Sequence, residues 1–113
     1  MQRFTDLEEM PWQAVRPDVA QDVWGKTLLS GDLKLVLTRV PPGGGFSAHT
    51  DGYGHLLYFL SGSGLVGVGG EECSVRPGLL VRVAAGEEHH YRNSGHDDLV
   101  LVSANIPADS TAA

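Results

Sequence analysis

The sequence predicts a single all-β domain, a sandwich or barrel of about eight short strands, and three observations lead there. Short β-prone runs recur along the chain, each stopped by Gly, Pro or Asn: "HLLYFLSGSG", "LVGVGGEECSV", "RPGLLVRVA", "EEHHYRNSG" and "DLVLVSANIP". Fifteen glycines in 113 residues supply the turns that many short strands need. No stretch combines helical periodicity, a cap and sufficient length, so helix is expected to amount to a turn or two.

Taken in order, residues 1–25 form an N-terminal arm without sustained period, carrying Trp12, Val15, Val19, Val23 and Trp24 as apolar cover for an edge of the core. The barrel proper spans 26–107. It opens with "KTLLSGDLKLVLTRVPPGGG", which reads as strand, Ser-Gly-Asp turn, strand and a breaker cluster. "SAHTDGYGHLLYFLSG", residues 47–62, follows; its second half has large apolar groups at alternate positions on both faces and is expected to be buried on both. The small, polar "ADSTAA" of 108–113 is a tail expected to fray.

Composition excludes several functions. Eight basic against fourteen acidic residues give a net charge of −6, with no Lys/Arg cluster to track a phosphate backbone, so nucleic acid is not an expected partner. Cys73 is alone, which rules out an intrachain disulfide and a zinc site built of several thiolates. It reads as a small buried or half-buried residue. Neither a secretory signal nor a membrane span is legible, since Pro11 and acidic residues interrupt the opening segment; a cytoplasmic protein without membrane contact is expected.

The chemistry concentrates in two stretches. Side chains two apart on a strand share a face, so His49 and Asp51 point the same way, as do His89 and Tyr91. Gly52 and Gly54 permit a bend that returns His55 toward them. Taken singly, each histidine is an ordinary polar residue near a turn. Together with "PGLLVRVAAGEEHHYRN", however, the first stretch resembles the paired motifs of the cupin superfamily. The first cupin motif runs Gly, five residues, His-x-His, three or four residues, Glu, six residues, Gly. Here His49 and Asp51 take the two histidine positions, His55 the glutamate and Gly62 the closing glycine. In the second motif Gly78, Gly86, His89 and Asn93 match, with Ala84 where proline is usual, a change expected to affect only loop stiffness.

The resemblance implies a double-stranded β-helix (jelly-roll) barrel holding one divalent transition metal through His49, Asp51, His55 and His89. His55 in the glutamate position resembles the small four-histidine branch of single-domain cupins, with Asp51 a departure from it. One carboxylate lowers the charge of the site and favours a higher oxidation state. Iron, manganese, nickel, copper and zinc all suit such donors, and Asp51 binds either directly or through a water. The implied function is a metalloenzyme, dioxygenase-type or related, acting on a small organic molecule. A non-catalytic ligand- or metal-binding module and a polyketide-cyclase- or isomerase-like protein are the alternatives. Resemblance to small cupins also implies a homodimer, formed through sheet edges and the arm. Phe59 and Tyr91 share a face with the ligands and are candidate pocket residues, and Arg39, Arg82 and Tyr58 are candidates to neutralise an anionic substrate at the barrel mouth. His90 is expected to face outward, His96 and the Glu87–Glu88 pair to be solvated, and Asn93 to order the turn after its strand.

Overall fold

The computed structural model describes residues 2–110; Met1 and the last three residues of the expected tail lie outside the described residues. Two antiparallel sheets face each other. One has six strands: β1 (Gln13–Ala14), β3 (Trp24–Leu29), β4 (Lys34–Val40), β11 (Leu99–Ile106), β6 (Gly54–Ser61) and β9 (Leu80–Val83), in that spatial order. The other has five: β2 (Ala20–Gln21), β5 (Gly45–His49), β10 (His89–Arg92), β7 (Gly64–Val68) and β8 (Glu71–Val75). The helical element among the described residues is a single 3-10 turn at Leu7–Glu9, and no helix is long and apolar enough to cross a membrane.

Turn chemistry places the hairpins. Gly69 and Gly70, with φ of +57° and +87°, join β7 to β8 in a two-residue turn that side chains with a Cβ tolerate poorly. Strand alternation then sorts the faces. On β6, His55, Leu57 and Phe59 turn inward and are buried, whereas Tyr58 and Leu60 are 45% and 43% exposed. The outer face of this strand is therefore not covered, contrary to its sequence pattern, because both sheets have one face on the shared core and one on solvent. That core is built from Val40, Leu57, Phe59, Val66, Leu99 and Leu101 with Tyr91, whose ring meets Phe59 edge-on at 6.1 Å.

The arm pairs with its own chain in both sheets. β1 lies against β3, with Gln13 opposite Gly25, and β2 lies against β5, with Ala20 opposite Phe46. Trp12 packs on the outer face of the six-stranded sheet, 4.5 Å from both the Lys26 ammonium and the Arg39 guanidinium. Lys26 also donates to the Leu7 carbonyl. Between these two anchors the chain crosses the open end of the barrel, and Arg16 sits on that crossing.

Candidate metal centre

His49 ends β5 and His89 opens β10, and the two face each other directly in the ladder. His55 comes from β6 in the opposing sheet. Asp51 belongs to the loop between β5 and β6, not to a strand, yet its carboxylate points to the same place. Its Oδ2 lies 2.8 Å from His55 Nε2, 3.2 Å from His49 Nε2 and 3.6 Å from His89 Nε2. The second motif holds this loop in position, because the Gly86 N–H donates to the Asp51 carbonyl at 2.8 Å. Gly86 can do so at φ +80°, in the left-handed region that favours glycine.

The outer nitrogens decide what the inner ones can do. His49 Nδ1 is 2.7 Å from the Ser47 carbonyl oxygen, and His89 Nδ1 is 2.9 Å from that of Glu87. A carbonyl oxygen only accepts, so each Nδ1 donates, and the neutral ring keeps a lone pair on Nε2. His55 Nδ1 has the same kind of partner in Asn105 Oδ1 at 3.2 Å. Three lone pairs thus converge on an oxygen that, when ionised, is itself only an acceptor. Such an arrangement is repulsive unless the imidazoles and the carboxylate share a proton or a metal ion.

Protonation of all three rings is a poor solution. Their centroids stand 4.3 Å (His49 to His89) and 4.7 Å (His55 to His89) apart, so like charges would crowd one another. Burial pushes the His89 imidazole below its ordinary value, and the neighbouring His55 and His49 push the same way. Burial raises the Asp51 carboxyl, but hydrogen bonding to His55 and Arg16 and the charge that His49 carries when protonated outweigh it, leaving the group below the usual carboxylate range. Neutral imidazoles beside an ionised carboxylate are the protonation states that metal ligands require. The donor atoms of His49, Asp51 and His89 lie within 4.8 Å of one another and could hold a metal ion. The donor set therefore fits a divalent cation.

Arg16 carries no sequence motif, yet it completes this cluster. Its Nη1 donates to Asp51 Oδ1 at 3.1 Å and to the Tyr53 hydroxyl at 3.3 Å, while Nε and Nη2 hold Asp18. The Asp51 side chain is only 6% exposed, so one carboxylate oxygen is tied down and the other is presented to the imidazoles. Arg16 has φ +42°, a conformation that costs a non-glycine residue about 1 kcal/mol or more. The ion pairs hold it there. Replacing Arg16 by glutamine is expected to lower metal affinity about tenfold, the scale on which partners of a ligand act. Arg16→Lys should recover little of it, because the fork to Asp18 and Asp51 is lost. Competition with a chromophoric chelator measures the change, and an unaltered affinity would remove Arg16 from the site.

A cavity of about 150 Å³ opens beside the cluster between the two sheets. Tyr91 lines it, with Tyr53, Asn105 and Lys34, none of which stands out in the sequence. The other proposed pocket residues do not. Phe59 shares the inner face but sits two positions below His55 along that face and is sealed in the core at 0% exposure. Tyr58, Arg39 and Arg82 alternate to the outer face: Tyr58 meets solvent, Arg39 lies over Trp12, and Arg82 is exposed on β9. Cys73 is exposed, not buried, since β8 is an edge strand. His90 does face outward, 3.4 Å from Glu72. Ala84 does more than loosen a loop, because its N–H, absent in proline, donates to the Glu87 carboxylate at 3.0 Å, so that acid is engaged in the turn.

Two facing antiparallel sheets with an imidazole–carboxylate cluster between them define a jelly-roll barrel with a candidate internal metal site. Residues 36–105 match the cupin domain family, and the chain belongs to it, as a small single-domain cupin. No curated protein matches the sequence. Among solved structures, the polyketide cyclase RemF from Streptomyces resistomycificus superposes with a TM-score of 0.82 at 21% identity, covering 96% of this chain and 81% of that one. A predicted oxalate decarboxylase from Thermotoga maritima gives 0.79 at 22% identity, covering 88% and 95%. An RmlC-like cupin from Shewanella frigidimarina gives 0.81 at 16%, covering 97% and 95%. At these identities the likeness establishes the fold.

Proposed function

We propose that this cupin is a mononuclear metalloenzyme acting on a small organic molecule, with His49, Asp51, His55 and His89 as the metal ligands and a dioxygenase-type reaction. The observation that carries the proposal is the convergence of three imidazole Nε2 atoms on Asp51 Oδ2 at the edge of a cavity. A bound iron, manganese, nickel or copper ion would supply Lewis acidity and a second oxidation state, with coordination positions left over for substrate or oxygen.

The chain's own residues do the rest. Asp51 offsets part of the ion's charge, and Arg16 fixes which of its oxygens faces inward. Ser47, Glu87 and Asn105 hold the three rings in the tautomer that binds through Nε2. Val36, Phe46 and Leu57 give the cavity apolar walls that keep bulk water from a bound substrate.

The test is oxygen uptake by protein loaded anaerobically with Fe(II), presented with small aromatic and enolic acids, followed by mass analysis of products made under ¹⁸O₂. Uptake with both labelled oxygens in the product is the expected result. Metal binding without uptake for any compound would overturn the dioxygenase reading and leave a binding module or an oxygen-independent cyclase or isomerase.

A further inference from the structure

One row of inward side chains crosses three neighbouring strands at the open end of the barrel. Lys34 on β4 is opposite Asn105 on β11, and Asn105 is opposite His55 on β6. All three line the cavity. Asn105 is already engaged with His55 Nδ1, so the row runs from a metal-ligand candidate through its positioning amide to an ammonium. Directly opposite residues in a sheet stand about 5 Å apart at Cβ, which places the lysine stem roughly two strand spacings from the imidazole, within the length of a small molecule.

The charges of the cavity are unequal. The carboxylate lining it is Asp51, and that group is matched by Arg16, which is itself matched again by Asp18. Lys34 has no ion-pair partner among the described residues. On a chain of net charge −6, a half-buried lysine without an ion-pair partner among the described residues, at the mouth of a partly enclosed hollow, is a group placed to meet an anion. The hollow's 150 Å³ is the size that accepts a single six-membered ring.

We propose that the cavity binds a small organic anion of about one-ring size, with its carboxylate paired to Lys34 and its body between the apolar walls, directed toward the imidazole cluster. The assignment deepens the metalloenzyme reading and rests on it for the direction in which the ligand lies. Asn105 and Ser103, on the same wall, offer the further polar contacts that orient it.

Benzoate and its neutral isostere benzamide probe the assignment, titrated by calorimetry into protein carrying one nickel ion per chain, with metal content measured first. Wild type is expected to prefer benzoate about tenfold, as one charge-assisted contact in a partly enclosed site allows. Lys34→Met should abolish the preference with metal content unchanged, and Lys34→Arg should keep most of it. A preference that survives in Lys34→Met would show that the metal alone selects the anion and would overturn the assignment. Absence of benzoate binding would also overturn it. If the chain takes up no nickel, the metal reading fails, and the same comparison on metal-free protein decides the role of Lys34 separately.

Discussion

Replacing His89 by alanine is expected to remove metal binding, lowering affinity by more than about a hundredfold, whereas replacing the adjacent His90 leaves it unchanged. Loss of a group that merely orients a ligand already weakens metal sites about 10- to 100-fold, so loss of the donor itself should exceed that. His89 is 6% exposed, and its Nε2 faces the Asp51 oxygen that the other two imidazoles share. His90 points away from the cluster toward Glu72 on the outside of the barrel. The pair is thus an internal control: same residue type, one peptide bond apart, opposite faces. Equal losses in the two variants, with circular dichroism showing both folded, would place the metal elsewhere.

Asn93→Leu is expected to lower stability by about 3 kcal/mol, a drop in Tm of about 10 to 20 °C in a domain of this size. Asn93 is 1% exposed at the end of β10 and works as a backbone clamp. Its Nδ2 donates to the Val40 and Asp97 carbonyls, each at 2.8 Å, and its Oδ1 accepts from the Gly95 N–H at 2.9 Å. Its own N–H donates to the Gly44 carbonyl, which ties the exit of β4 and the entry of β5 to the end of β10. Leucine has the same number of side-chain heavy atoms in the same fork, so buried carbonyls and an amide lose their partners without a cavity, and its bulkier methyl groups add overpacking to that loss. Thermal unfolding of metal-free protein measures it. A shift of only a few degrees would mean that water replaces the amide, and that the motif asparagine is a matter of local geometry.

Much of the fold is legible because its signals are local. Runs of β-prone residues in β4, β6 and β11, with glycines at the Gly62 and Gly69–Gly70 turns, set strands and hairpins without knowledge of what packs on them. His49, His55 and His89 are legible because two motifs fix their spacing in segments that the barrel brings together. Exposure of the outer face is less so. Leu56, Tyr58 and Leu60 have the apolarity of a strand covered twice, and only the sheet order shows that one face has no second layer.

Arg16, Tyr53 and Lys34 were hidden for a different reason. Each gains its meaning from a neighbour far along the chain: Arg16 from Asp51, thirty-five positions away, and Lys34 from its register opposite Asn105. The faint local sign of Arg16 is that, with Arg3, it is one of two basic residues in an acidic arm, set before a proline and an aspartate. The same limit explains Arg39, Arg82 and Tyr58, whose charge and polarity suit a substrate contact but whose strand parity sends them outward.

The central claim is that the three imidazoles bind one ion through Nε2, with Nδ1 protonated and held by carbonyl oxygens. Pulsed electron paramagnetic resonance of protein loaded with one Cu(II) per chain counts the rings that share the ion, since the remote, protonated nitrogen of each coordinated ring modulates the echo. Three equivalent imidazole contributions are expected, falling by one in each of His49→Ala, His55→Ala and His89→Ala. A spectrum with no imidazole modulation, or one that keeps its full modulation in all three variants, would contradict the account.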